Sequence, residues 1–356
     1  MTMPLLSKPL GVREADLSVD RARIAAFVRA QPGSTPFHMP EWSIAIERGC
    51  GQRSRYLVAE HADGAIAGVM PLTEMRSPLF GKALVSAGFA TEGGILAETP
   101  AAVSDLAAAA WALAETLGIE SVELRGGPVP DGDWQEESGS YLGFVRDLGK
   151  TDEDELKIIP RNRRATIRKS LKFGYPVTIG NAPRDIAAHF KAYSESVRNL
   201  GTPVFPRALF AEILREFGEA ADILTVWSDS KPLSSVLSLY MHGTVYPYWG
   251  GGTFEARRML GSDAMYFELM RHARDSKGCT RYDFGRSKVD SGNATFKANW
   301  GFEPQPLTYA RRLAPGAVAR VINPTNPKYR LQVAAWKKLP LWAANIVGPP
   351  ISRGLG

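Results

Sequence analysis

Residues 223–252 read ILTVWSDSKPLSSVLSLYMHGTVYPYWGGG, and their punctuation decides the fold. Three runs rich in β-branched and aromatic residues, ILTVWS, LSSVLSLYM and TVYPYWGGG, are separated by the turn formers DSKP and HG. That pattern predicts three successive strands. A helical period follows from about Ser262 to Ser276, and TRYDFG (280–285) reads as a further strand. The same plan stands earlier in the chain. YLVAE (56–60) and IAGVMPLTEM (66–75) flank the turn HADGA, and GFATEGG (88–94) forms a loop of small residues. An Ala-rich helix with Leu106, Ala110, Leu113 and Leu117 on one face then stops at Gly118, and SVELRG (121–126) closes the block. Tyr56 thus answers to Ile223 and Val122 to Tyr282, which predicts a duplicated α/β unit with a mixed central sheet flanked by helices.

Length and charge bound the rest. A chain of 356 residues exceeds what one core usually serves, and a composition 44% hydrophobic and 22% charged is that of a globular protein. We expect an N-terminal domain over 1–150, a second over 151–315, and a tail over 316–356. The start, MTMPLLSKPLGVREADLSVD, lacks the pattern of a secretory signal, and no apolar run has the length of a spanning helix. Cys50 and Cys279 have no partners at ligand spacing, so we expect reduced core thiols, no metal and a cytoplasmic location.

The net charge of +6 is unevenly spread. From Arg311 to the end there are eight Lys and Arg and no acid, and Lys157, Arg161, Arg163, Arg164, Arg168, Lys169 and Lys172 form a second cluster without an acid. Such clusters suit a phosphate, an RNA backbone or an anionic membrane. In the tail, Trp336 and Trp342 beside Lys337, Lys338 and Arg353 fit either the inner face of the plasma membrane or packing onto the protein. Two amphipathic stripes, Ile186 to Leu200 and Leu209 to Phe217, read as core-facing helices.

Several segments carry a family likeness: PRNRRATIRKSLKFGYPV, SLYMHGTVYPYWGGGTFEARRMLGSDAMYFELMRHARDSKGCTRYDFGRS and FKANWGF. They resemble the Fem family of aminoacyl transferases and the wider GNAT acetyltransferase-like superfamily. The resemblance implies tandem GNAT-like domains and the transfer of an acyl or aminoacyl group to an amine. With FHMPEW, GGILA and WKKLPLWAANIVGPPI, the whole chain looks like Fem-like proteins that accompany exosortase and PEP-CTERM exopolysaccharide systems. The implied acceptor is an amine-bearing sugar or a lipid-linked intermediate; the implied donor is aminoacyl-tRNA or acyl-CoA, left open here.

The likeness assigns Lys297, preceded by Phe296, to stabilise negative charge on the reacting carbonyl, a role a fixed cation fulfils where an oxyanion develops. Phe296 and Trp300 are expected to flank this lysine. Asp283, at the end of a strand, is either a base for the attacking amine or the organiser of a turn. Arg286 and Lys288 fit either a phosphate or pairing with Asp283 and Asp290, while Tyr248 and Trp249 fit a stacking surface or the interdomain core. If tRNA is the donor, Arg161, Arg164, Arg168 and Lys169 are its backbone contacts. The sequence RMLGSD (258–263) supplies Arg258, Gly261 and Ser262 where the superfamily holds the pyrophosphate of acyl-CoA, but Asp263 opposes an anion there. Ser262 or Asp263 is also a plausible N-cap.

Overall fold

Each block buries alternating apolar side chains in a three-stranded antiparallel meander, then returns through a helix to a strand that pairs parallel to the third. The computed structural model describes residues 10–318 and 330–356. Pro324, Pro327 and Lys328 of the tail, and the start of the chain, lie outside the described residues. In chain order, β1 (Gly11–Glu14), α1 (Arg21–Ala30) and α2 (Pro40–Cys50) precede the first meander, β2 (Ser54–Glu60), β3 (Ile66–Ser77) and β4 (Gly81–Ser86). The short β5 (Leu96–Ala97), α3 (Pro100–Thr116), β6 (Ser121–Arg125) and β7 (Gln135–Asp147) follow.

The second block opens with α4 (Asp152–Ile158), α5 (Arg161–Leu171), β8 (Val177–Gly180), α6 (Pro183–Leu200) and α7 (Arg207–Phe217). Its meander is β9 (Ala221–Ser228), β10 (Lys231–Met241) and β11 (Thr244–Gly252). Then come α8 (Phe254–Arg258), α9 (Gly261–Asp275), β12 (Arg281–Asp283), β13 (Ser287–Lys288), α10 (Gly292–Ala298), β14 (Pro304–Leu313), α11 (Arg330–Lys338) and α12 (Leu341–Ser352).

One sheet runs through both blocks in the order β1-β2-β3-β4-β6-β14-β7-β12-β11-β10-β9-β8. The parallel pairs β4 with β6 and β11 with β12 sit at equivalent places, each closed by a crossover helix, α3 or α9. The expected unit lacked one member: GKALVS (81–86) forms β4, the counterpart of β11. The centre is an exchange of strands. The last strand, β14, pairs with β6 of the first block, and β7 reaches across to pair with β12 of the second.

Packing also crosses the blocks. Trp42 on α2 stacks on Trp249 of β11 with centroids 5.7 Å apart and planes 3° apart, inside a core shared with Phe37, Phe210 and Tyr246. Burial of such rings removes 150–250 Å² each from water. The tail rests on the protein through α12. Ser352 Oγ donates to the Val204 carbonyl at 2.9 Å, and Gln52 Nε2 donates to the Arg353 carbonyl at 2.8 Å. Gly348 comes so close to Val204 that a Cβ would sit 3.0 Å from its backbone nitrogen. Trp342 and Ile346, however, point outward, 70% and 67% exposed. No helix among the described residues is long and apolar enough to cross a membrane.

Candidate active site

The turn after β12 is built to hold an ammonium. Asp283 ends the strand, and its Oδ1 accepts the Gly285 N–H at 2.8 Å, which bends the chain through a left-handed glycine. Helix α10 then starts at Ser291, whose hydroxyl accepts the Ala294 N–H at 3.2 Å. Lys297 therefore lies on a helix. Its Nζ reaches back to donate to the Gly285 carbonyl at 3.0 Å and the Arg286 carbonyl at 2.8 Å. The expected flanking by Phe296 and Trp300 is not found. The ammonium lies over Phe144 and Phe284, 5.3 and 5.5 Å from the centroids. Phe296 and Trp300 take the guanidinium of Arg163 instead, at 4.9 and 5.4 Å: Phe296 precedes Lys297 on α10 and so faces another way, and Trp300 lies beyond the end of the helix.

Burial lowers the Lys297 ammonium to about 7, against the opposing pull of Asp283. The Asp283 carboxyl is itself raised by burial, with its hydrogen bond from Gly285 and the nearby Lys297 acting the other way. Within electrostatic reach of Asp283 lies Glu92, which the sequence offered only as part of the loop GFATEGG. Burial raises its carboxyl to about 7, and the charge of Asp283 adds to the effect. Asp283 and Glu92 also raise the Tyr246 hydroxyl beyond the effect of its burial, so the three groups lie within electrostatic reach of one another.

Side chains from both blocks grip the Glu92 loop. Trp42 Nε1 donates to the Gly88 carbonyl at 3.1 Å, Tyr248 Oη to the Phe89 carbonyl at 2.6 Å, Arg125 Nη1 to the Ala90 carbonyl at 2.9 Å and Tyr309 Oη to the Thr91 carbonyl at 2.9 Å. At Gly94 a Cβ would fall 1.9 Å from the Gly126 carbonyl oxygen, so only glycine allows this approach. A loop so held presents Glu92 in one place. Tyr248 thus positions the loop, and Trp249 is core: Trp42, Phe205, Phe210 and Tyr248 surround its ring, leaving no face for a ligand.

The start of α9 lacks an open seat for an anion. Its N-cap is Leu260, in a left-handed conformation and without a side-chain cap, so neither Ser262 nor Asp263 occupies that position. The Asp263 carboxylate lies buried in the first turn, ion-paired to Arg163 Nη2 at 2.5 Å; burial raises its carboxyl, with Arg163 and its own backbone amide acting the other way. An internal anion already satisfies the helix end, so the residues do not fit the pyrophosphate of acyl-CoA there. An open cavity of about 610 Å³ beside this turn is lined by Ser196, Gly252, Arg257, Ser262 and Phe296. Arg257 lines it in place of the expected Arg258. Gly261 packs on Leu233, whose side chain would lie 2.6 Å from a Cβ.

The basic cluster divides. Arg164 caps α4 by donating to the Lys157 and Ile159 carbonyls at 2.9 and 3.0 Å, and Arg163 is held by Asp263. Arg161, Lys169 and Lys172 remain exposed around a shallow groove of about 480 Å³, beside Arg168, which lies 3.6 Å from Glu153.

Residues 160–298 match the family model of the Acetyltransferase (GNAT) domain. No curated protein matches the chain significantly. Among solved structures, FemX superposes with a TM-score of 0.64 at 15% identity, over 84% of this chain and 96% of that one. L-PGS from Bacillus licheniformis gives 0.55 at 12% identity over 90% and 98%. A tandem GNAT protein from the clavulanic acid biosynthesis pathway gives 0.53 at 13% over 87% and 100%. These likenesses establish a tandem GNAT-like α/β fold. With the matched domain, they make the chain an acyl-transferring enzyme.

Proposed function

We propose that the chain moves an aminoacyl or acyl group from an ester donor to the amine of a sugar or lipid-linked acceptor, in exopolysaccharide or cell-envelope biogenesis of the exosortase and PEP-CTERM type. One observation carries this reading: Asp283 acts on both an ammonium fixed by two carbonyls, Lys297, and a carboxyl raised to about 7, Glu92, and so links the two groups. The acceptor nitrogen attacks the carbonyl carbon of the donor, and Lys297 meets the negative charge that develops on the carbonyl oxygen. That charge draws the proton of Lys297 more firmly onto its nitrogen, so the interaction strengthens in the transition state. Glu92 accepts the proton lost by the amine and returns it to the departing ester oxygen. Asp283 holds the turn that aims Lys297 and keeps the Glu92 carboxyl high.

Aminoacyl-tRNA suits the donor site better than acyl-CoA, because Asp263 fills the start of α9 while Arg161 and Lys169, beside the Glu153-paired Arg168, are exposed to meet a phosphate backbone. The tail supplies a membrane-facing surface in this reading. Leu331, Trp342 and Ile346 are exposed beside Lys337, Lys338 and Arg353, with no acid between, a composition suited to the anionic inner face of the plasma membrane.

The test is transfer to an amino-sugar acceptor from aminoacyl-tRNA and, separately, from acyl-CoA. Aminoacyl-tRNA should yield product, and Lys297→Ala should lower kcat/KM by about 10²–10³. Equal rates for the parent and Lys297→Ala would overturn the mechanism, and turnover with acyl-CoA alone would overturn the donor.

A further inference from the structure

A second set of charges stands beside the cleft and takes no part in the steps above. Strands β4, β6, β7 and β14, with the segment around β13, enclose a cavity of about 290 Å³. Its wall carries Arg125, Arg286, Lys288 and Arg311 against two acids, Glu123 and Glu137. The acids are already committed. Glu123 pairs with Arg125 at 2.8 Å and with Arg311 at 3.0 Å, and Glu137 pairs with Arg311 at 3.0 Å. Both arginines hold the Glu123 carboxyl at about 2 despite its burial.

Arg286 and Lys288 are left over. Among the described residues, neither has a carboxylate within ion-pair distance. The Arg286 guanidinium lies against two adjoining rings, 4.6 Å from the Tyr141 centroid and 5.7 Å from that of Tyr309, the rings themselves being 5.5 Å apart. Its Nη1 donates to the Tyr309 hydroxyl at 2.6 Å. Lys288 Nζ lies 6.0 Å from the Tyr141 centroid, and burial together with Arg286 lowers its ammonium below the usual range.

A partly buried guanidinium without a counter-ion is costly, and this one is held in place by two rings and by its hydrogen bond to the Tyr309 hydroxyl. An arriving oxyanion meets a fixed planar fork able to take two oxygens, with a point charge beside it. The site is also in register with the chemistry, since the backbone carbonyl of Arg286 holds the Lys297 ammonium.

We infer that this cavity binds an oxyanion of the acceptor, a phosphate or a carboxylate, between Arg286 and Lys288, and thereby selects which amine enters the cleft. Only the identification of the carrier as the acceptor rests on the transfer reading; the anion site itself does not.

Inorganic phosphate and succinate, titrated by calorimetry at low salt into the full chain, test this. Arg168→Gln/Lys169→Gln serves as background, to quiet the exposed groove on α5. We expect saturable binding of one of the two, weakened about tenfold by Arg286→Gln and several-fold by Lys288→Gln. The probe that binds tells phosphate from carboxylate. Lys288→Gln gives up only the long 6.0 Å contact of its ammonium with Tyr141, so its thermal midpoint should stay near the parent value, which guards against misfolding of Arg286→Gln. Absence of binding by both probes, or parent-like binding in both variants, overturns the inference. The measurement needs no donor. Intact anion binding without a Lys297→Ala effect on transfer would therefore remove only the transfer reading, and the converse result only the anion site.

Discussion

Asp283 and Lys297 hold the same residue from opposite sides: Asp283 Oδ1 accepts the Gly285 N–H at 2.8 Å, and Lys297 Nζ donates to the Gly285 carbonyl at 3.0 Å. The turn between them is fixed by the two charges it separates. Its geometry thus couples the position of the ammonium to the electrostatics of the facing carboxyl, Glu92, which Asp283 helps to raise.

This coupling sets the pH dependence. Glu92, at about 7, must be ionised to accept a proton, so its contribution grows as pH rises through 7. Lys297, also at about 7, must carry its proton, so its contribution fades over the same range. The profile of kcat/KM should be a narrow bell centred near neutrality. Glu92→Gln should abolish the acid limb and leave the alkaline one. A variant that lowers the rate but keeps both limbs would exclude Glu92 as the base.

Stability should move against function at Lys297. Its folded value of about 7 lies below the ordinary 10.5, so between these values the unfolded chain binds more protons and stability rises with pH. At pH 7 and below, the native state bears the cost of a buried charge. Lys297→Met should therefore melt at a higher temperature than the parent at neutral pH, with the gap closing toward alkaline pH, while losing transfer. Melting curves that stay parallel across this range would refute the assignment.

The closed end of α9 makes a third prediction. Arg163→Ala leaves the Asp263 carboxylate buried without its cation and should cost about 3 kcal/mol in denaturant unfolding. The double variant Arg163→Ala/Asp263→Ser should recover most of that loss. It should also bind CoA about tenfold more tightly than the parent, since free amides at a helix start attract a phosphate. CoA affinity unchanged in calorimetry would show that Asp263 does not bar the site.

Local signals were legible where they were local. Alternation in ILTVWS and LSSVLSLYM, and the turns at DSKP and HG, correspond to β9, β10 and β11 almost residue for residue. GKALVS carried too few alternating positions after the exposed Gly81 and Lys82 to show as a strand. Contacts made across the blocks left no such trace. On sequence alone Trp249 fits a stacking surface as well as the interdomain core, because its partner, Trp42, belongs to the other block. Arg163 and Arg164 looked like free cations because Asp263 and the end of α4 claim them only after folding. Glu92 had no sequence neighbour to mark it; its tuning depends on burial and on Asp283 from the other block. A lone carboxylate in a loop of small residues was the one signal present.

The exchange of β7 and β14 has a consequence for inheritance. Once the last strand of the chain was laid between two strands of the first block, the two copies ceased to be separable units of evolution. A gene split between them would leave each product with a gap in its sheet. Neither copy can be lost or traded alone. The chemistry is joined in the same way, since the first block supplies Glu92 and the second Lys297, and neither holds both.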